Sequence, residues 1–482
     1  MNVKIRRTTV KGNAALSVVK QLFSIAFPMI TFPYVTRILG AENYGKYTFS
    51  ASIVNYISYI AAAGILRYAI RECSRIREDK EKQEKLVNEI FTINICTTFV
   101  AYVILFVLLL TVPMLHDYAK IILILSLSVL FTTLGTDWIN NAYEDYFFIT
   151  VRYIISQILA VLMLFLLVQN SNNLFEYACV SVFGGMLANI LNIVHIRRSI
   201  GLFPKLTFSA ELVKHFKPIF FLFTCTIASF IYINSDVTIL RIYSNDISVG
   251  YYGVSTQFYQ LIKQLINAAF IVVIPRISNE LAKDKSIVYE RYNKIIELTV
   301  LLIIPCSFGL FMIRKQLILL FAGIDYIKAD SSLAILSFAL IPAMLANFFI
   351  NIVMIPLNKE KQVMVATVIS ALINIILNFL WIPSYSENAA AFSTFLAECS
   401  MTCIAIYYCR KIKFVRVLKP ICASTFGGML IILVCTTVSR CTNNNILCIS
   451  LSIIISIIVY GIVVSIFYKN ELGFEFKKYK RL

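Results

Sequence analysis

Apolar residues in this chain lie in long unbroken blocks, without the three-to-four spacing of an amphipathic helix or the alternation of a half-buried strand. ISALINIILNFLWIP (369–383), YVILFVLLLTVPML (102–115) and ILCISLSIIISIIVYGIVVSIF (446–467) would be apolar on every face of a helix. Blocks of about 20 such residues bounded by charge predict transmembrane helices. Fourteen spans are expected, at 14–38, 46–70, 87–112, 118–140, 148–168, 174–196, 217–241, 249–274, 294–313, 330–357, 362–383, 388–408, 419–439 and 446–468. The expected fold is therefore an all-α polytopic membrane protein with about 14 transmembrane helices.

Composition supports this reading. Of 482 residues, 59% are hydrophobic and 15% charged, with a mean hydropathy of +0.79. A soluble domain would carry about a quarter charged residues. The start, MNVKIRRTTVKG, is basic, but the apolar stretch after it runs too long for a signal peptide and lacks a small-residue cleavage site. It is read as leading into a retained first span. Twelve cysteines are scattered without a C-x-x-C pair, and His116, His195 and His215 are far apart. Neither a disulfide framework nor a metal site is indicated, and no cofactor or catalytic residue is expected.

Charge placement sets the expected topology. The N-terminus, alternate loops and the C-terminal tail together hold 33 of the 44 Lys and Arg residues, and the opposite set of loops holds 8. Lys20, Arg67 and Lys263 fall inside spans. By the positive-inside rule both termini are cytoplasmic, in a bacterial cytoplasmic membrane. The net charge of +18 then reflects topology and contact with the lipid bilayer, not nucleic acid. All outer loops are short, and no cytoplasmic loop is large enough for a catalytic or nucleotide-binding domain. The architecture is that of a secondary transporter, and the chain is not expected to be an enzyme.

GAENYGKY (40–47) comes one residue short of a phosphate-binding loop, G-x-x-x-x-G-K-[ST]. Tyr47 replaces the hydroxyl that would ligate magnesium, and no soluble sheet surrounds it. A turn between spans 1 and 2 is the alternative, with Gly40 and Gly45 supplying backbone freedom. GKYTFS (45–50) and GYYGVS (250–255) share G-x-Y-x-x-S at a separation of 205 residues, each opening the second span of a half and each following a Val-Thr pair (35–36, 237–238). Six spans separate the copies, so the repeat is parallel. Two six-helix lobes are expected, at 1–196 and 217–408, joined by a cytoplasmic linker at 197–216 and followed by spans 13 and 14 with a tail at 409–482.

FPYVTRILGAENYGKYTFSAS (32–52), DWINNAYEDYFFITVRYII (137–155), SDVTILRIYSNDISVGYYGVSTQF (235–258) and IPRIS (274–278) resemble Wzx-type polysaccharide flippases, members of the multidrug/oligosaccharidyl-lipid/polysaccharide exporter superfamily. The resemblance covers spans 1 to 12. It implies alternating access, with a polyprenyl-diphosphate-linked oligosaccharide carried from the inner to the outer leaflet for O-antigen, capsule or other surface polysaccharide. Polysaccharide polymerase and chain-length proteins are the partners it implies. Spans 13 and 14 fit longer members; in the related lipid II flippase they help form a groove for the lipid tail. The alternative is a cation-coupled small-molecule exporter of the same superfamily.

A charge at bilayer depth costs at least about 2.5–3.5 kcal/mol on insertion scales, so each one asks for a reason. Lys263 lies roughly 16 Å of helix rise from the cytoplasmic end of span 8. Gln257, Gln260, Gln264 and Asn267 form a polar row along the same span, with Lys263 at its edge. Lys263 is read either as a cavity cation for a diphosphate, or as one half of a structural pair with an intramembrane acid such as Asp236 or Glu398. Those two acids could alternatively bind a coupling proton or sodium ion. The resemblance implies a cavity-lining role for Arg37 and a diphosphate-contacting role for Arg67, each with snorkelling to the surface as the competing reading, and Lys20 could line the inward mouth. Counted back from IPRIS, the relative's cationic position in span 8 falls near Thr256 and not at Lys263. Asn189, Asn192, Asn347, Asn351, Asn374 and Asn378 serve helix packing or sugar binding, and Pro28, Pro33, Pro305, Pro342 and Pro356 could kink their spans.

Overall fold

The computed structural model describes residues 10–76, 79–281, 285–410, 412, 417–442 and 444–469. The basic start (1–9) and the end of the tail (470–482) lie outside the described residues, as do the side chains of the IPRIS segment. Among the described residues the secondary structure is entirely helical. The α-helices are α1 (Val10–Ala62), α2 (Ile65–Arg75), α3 (Lys80–Thr111), α4 (Ala119–Gly135), α5 (Trp138–Ala142), α6 (Tyr146–Leu167), α7 (Leu174–His195), α8 (Val213–Tyr243), α9 (Asp246–Leu281), α10 (Lys285–Leu317), α11 (Ala329–Asn347), α12 (Glu360–Cys409), α13 (Leu418–Cys441) and α14 (Asn445–Phe467). Each span expected from hydropathy falls on helix, though spans and helices do not correspond one to one. Ten helical stretches among the described residues are long and apolar enough to cross a membrane. The chain is a multi-pass membrane protein.

Two helices are too long to be single crossings. At 1.5 Å per residue, the 53 residues of α1 and the 50 of α12 would far exceed a hydrocarbon core of about 30 Å. Each is broken once. Gly40 leaves the helix with φ 73° and ψ 172°, a region open essentially only to glycine, and Ser386 does so with φ 46° and ψ −126°. GAENYGKY is thus a single backbone break, and helix resumes at once after Gly40. Pro28, Pro33, Pro305 and Pro342 lie inside helices that continue through them. The sharp breaks fall where backbone signs invert, not where proline removes a donor.

The chain divides into two compact units, 1–250 and 251–482. In the first, α1 packs against α3, α4, α6 and α8, and α4 and α6 pack on α7. A left-handed step at Ala63 and Gly64 separates α2 from α1. Ile65, Tyr68, Ala69 and Cys73 are the buried face of α2, packed in an apolar cluster with Val87, Ile90, Trp138, Ile139 and Ile219. The segment quoted above as DWINNAYEDYFFITVRYII is knitted by polar contacts. Arg152 binds Asp137 and the Ala188 carbonyl, Asn140 binds Asn192, and Asp145 accepts from the Phe148 amide at 3.2 Å and faces His195 at 2.9 Å. Burying these groups requires such pairing, since an unmet polar group in an apolar interior costs about 1–3 kcal/mol.

In the second unit α11 packs on α12 and α10, and α10 and α14 both pack on α13. Small hydroxylic side chains tie its helices to one another: Ser307 donates to the Ser337 carbonyl at 2.6 Å and Thr402 to the Pro342 carbonyl at 2.6 Å. Adjacent glycines let α13 pack on two neighbours: Gly427 lies against the Tyr460 ring and Gly428 against Phe308. One bond recurs at the spacing of the two motif copies. Ser50 donates to the Lys46 carbonyl and Ser255 to the Tyr251 carbonyl, the same i−4 bond 205 residues apart.

The backbone geometry gives contrasting expectations at the two breaks. Gly40→Ala is expected to lower stability by about 1–3 kcal/mol, although nothing lies within 4 Å of the added methyl. Ser386→Gly relieves a strained residue and is expected to be neutral or stabilising, and Gly185→Ala, in open helical surroundings, likewise. Thermal unfolding of the purified protein in detergent checks all three.

Candidate functional site

The second unit gathers the deepest charges. α9 carries Lys263 and, one turn earlier, Tyr259; α12 carries Glu398. The Lys263 ammonium lies 3.1 Å from a Glu398 oxygen and 3.3 Å from the Tyr259 hydroxyl, and it stands 4.8 Å from the centre of the Tyr259 ring. Tyr259 in turn donates to the same Glu398 oxygen at 3.1 Å. The lysine and glutamate side chains are only 19% and 9% exposed. One ammonium, one carboxylate and one phenol thus satisfy each other in a site with no net charge. A lone buried charge is costly, whereas a hydrogen-bonded pair is tolerated.

Of the two readings left open for Lys263, pairing with an acid is therefore present in this structure, and Glu398 is the acid. The polar row follows the same helix. Gln260 is exposed, Gln257 and Gln264 are half-buried, and the Asn267 carboxamide oxygen is buried without a hydrogen-bond partner. A polar atom left unmet there is available to a hydroxyl or to water.

The remaining candidates belong to the first unit and sit on separate helices. Arg37 is exposed on α1, three residues before the Gly40 break. Arg67 lies on the exposed face of α2, beyond the Ala63–Gly64 step that interrupts the expected second span. Lys20, half-buried on α1, places its ammonium 5.7 Å from the centre of the Tyr153 ring. Asp236 is buried on α8, two residues from Asn234, which accepts from Asn55 at 3.2 Å. The asparagines divide by use. Asn192 ties α7 to α4 and α5, whereas Asn351 donates to Asn347, and Asn378 to Asn374, within their own helical segments.

Sequence reasoning missed a second buried ionic cluster. Tyr68 of α2, Glu89 of α3 and His215 of α8 form a chain, with the Tyr68 hydroxyl 2.6 Å from His215 Nδ1 and His215 Nε2 2.7 Å from Glu89. All three are buried, and Lys214 adds a second partner for Glu89 at 3.1 Å. A neutral imidazole carrying its proton on Nε2 satisfies both bonds. Outside this core Glu211 bridges Lys85 and Lys214, which hold its carboxyl down at about 2. That tether is fully charged above the usual pH of about 4.5 and is lost only as the pH falls toward 2. The three groups come from positions 68, 89 and 215 on three helices, so no local spacing announces them.

Comparison with known proteins gives the family. The family model described as "Polysaccharide biosynthesis protein" matches residues 10–281. The chain is 23% identical over 412 residues to the Escherichia coli (strain K12) protein named "Putative O-antigen transporter", covering 84% of this chain and 98% of that one. A Shigella dysenteriae protein of the same name is 21% identical, covering 77% and 93%. Among solved structures, the lipid II flippase MurJ in an inward closed conformation superposes with a TM-score of 0.73 at 20% identity, over 95% of this chain and 99% of that one. An inward-facing multidrug resistance MATE family transporter of the MOP superfamily gives 0.61 at 9% identity, over 85% and 96%. At these identities the two structures speak for the fold. With more than half its length matched by the family model, and with the polytopic helical fold of these transporters, the chain belongs to the polysaccharide biosynthesis protein family.

Proposed function

We propose that this protein is a flippase. Its cargo is a polyprenyl-diphosphate-linked oligosaccharide, carried from the inner to the outer leaflet of the cytoplasmic membrane for surface polysaccharide export. The observation that carries this reading is membership of the polysaccharide biosynthesis family over residues 10–281. The relatives named as O-antigen transporters and the lipid II flippase fold support it. Both termini are cytoplasmic in this proposal. The lobes are 1–196 and 217–408, the linker is 197–216, and residues 409–482 add spans 13 and 14.

Within that reading the Lys263–Glu398 pair is the resting state of a cargo site. A diphosphate is a stronger competitor for an ammonium than one carboxylate, because it offers more negative charge to a compact cation. When Lys263 turns to the cargo, Tyr259 still donates to Glu398, so the acid loses its countercharge but keeps one hydrogen-bond donor. The amides of Gln260, Gln264 and Asn267 then face the sugar hydroxyls. Lys20, Arg37 and Arg67 supply further positive charge along the path, and Asp236 is a second acid able to pair with it. No bond is made or broken, and the membrane potential acts on any net charge that moves, at about 2.3 kcal/mol per charge per 100 mV.

Two measurements test the proposal. In cells lacking this gene, mass spectrometry of lipid extracts is expected to show a complete polyprenyl-diphosphate oligosaccharide accumulating relative to the parent, and its mass identifies the sugar. Unchanged lipids together with new sensitivity to small cationic compounds would instead support a small-molecule exporter. The second measurement compares Lys263→Met, Glu398→Gln and the double variant. Lys263→Met is expected to cost about 3 kcal/mol of stability by stranding the buried acid, and the double variant to recover most of it. Transport is expected to stay lost in the double variant. Transport restored along with stability would make Lys263 a structural partner and nothing more.

A further inference from the structure

One buried acid of the second unit stands without a partner. Glu387 follows Ser386, where α12 breaks, and is 9% exposed. Its carboxylate makes no hydrogen bond or ion pair with any described residue. Glu387 opens the helix that resumes after the break, where the helix dipole favours an acid. An acid placed there for that reason ordinarily accepts from a free backbone amide. Glu387 accepts from none among the described residues. The next residue, Asn388, holds its carboxamide oxygen buried, also without a hydrogen-bond partner. The break itself, with φ 46° on a serine, is strained backbone of the kind that collects at ligand clamps.

The packing of α9 brings two further oxygen-bearing side chains to this place. Tyr252 bonds Thr394 of α12 at 3.2 Å, and Ser255 bonds Ser332 at 2.7 Å and the Ala329 carbonyl at 3.0 Å, at the start of α11. These contacts set this part of α9 between the segment before α11 and the break in α12. The Tyr251 ring accordingly stands 6.3 Å from that of Tyr326, the neighbour of Asp325. The Tyr251 phenol lies within electrostatic reach of the Asp325 and Glu387 carboxylates alike. Asp325 is exposed, which opens the group to solvent. Neither acid is bonded to a described lysine or arginine. Among the described residues no three His, Cys, Asp or Glu gather as ligands for a metal. The donors here are two carboxylates and neutral oxygens, a set that suits a hard cation.

We propose that the carboxylates of Glu387 and Asp325 bind one calcium ion, with the Asn388 carboxamide oxygen and water completing its shell. A divalent ion cancels the two charges. Calcium accepts irregular sets of about six to eight oxygens, whereas magnesium demands near-octahedral geometry. An ion held there ties the segment before α11 to the break in α12. The site requires neither the cargo nor the membrane topology proposed above.

The test uses the purified full-length protein in detergent, stripped with EDTA and titrated with calcium chloride. Equilibrium dialysis with radioactive calcium is expected to give one site with a Kd on the order of 10⁻⁴–10⁻³ M. Calcium at about 10 mM is expected to raise the unfolding midpoint by about 4 °C. Glu387→Gln and Asp325→Asn are each expected to weaken binding at least about tenfold, while Asp117→Asn, at an exposed acid of the first unit, leaves it unchanged. In EDTA the order reverses. There Glu387→Gln is expected to unfold above the parent, because it removes a buried charge that has no partner. That crossover distinguishes a calcium ligand from a residue with a structural role alone. Absence of calcium binding by the parent, or binding that survives both substitutions, overturns the proposal. Equal stabilisation by sodium at the same ionic strength also overturns it, since the site would then be monovalent. If Glu387→Gln fails to accumulate, Asp325→Asn, at an exposed position, decides by the same titration.

Discussion

The bilayer offers no hydrogen bonds, and the rest of this structure follows from that. Every backbone amide within the hydrocarbon must be satisfied by its own segment, which restricts the spanning chain to helix. The same rule governs side chains. Arg152 with Asp137 and Lys263 with Glu398 each bring a cation against an acid from another part of the chain, and the His215 imidazole is bonded to Glu89 of another helix. Each pair locates two helices relative to each other, because neither partner is tolerated alone.

Where helices must bend or touch closely, side chains are an obstacle, and the chain uses glycine in two different ways. Gly40 is required by its dihedral angles and has empty space around it. Gly45, five residues on, has ordinary helical angles and is required by what lies against it. One stretch of sequence therefore combines a bend with a close crossing, and only contact geometry distinguishes the two roles.

Function depends on which of these contacts are exchangeable. The Lys263–Glu398–Tyr259 cluster is neutral as it stands and keeps one donor for the acid if the lysine leaves. The Tyr68–His215–Glu89 chain, by contrast, is closed off by an apolar cluster and reads as a fixed joint among α2, α3 and α8. Chemically similar groups are thus a proposed binding site in one setting and a fastening in the other, and the difference lies in their surroundings.

The sequence by itself determined the helical, membrane-spanning character, because hydropathy over about 20 residues reports directly on the solvent a segment can occupy. It also offered G-x-Y-x-x-S as the mark of a parallel repeat, and it singled out Lys263 and Glu398 as charges needing an explanation. It placed the break near residues 40–47 but read it as a turn, since glycine spacing alone does not separate a loop from a kinked helix. Tertiary structure alone decided that Glu398 pairs with Lys263. It also decided that Arg67 lies beyond a left-handed step on an exposed face, and that His215 is bound to residues 126 and 147 positions away. The physical reason is the same in each case. Desolvation is a property of a stretch of chain and can be read along it, whereas an ion pair or a backbone crossing is set by which faces of distant helices meet.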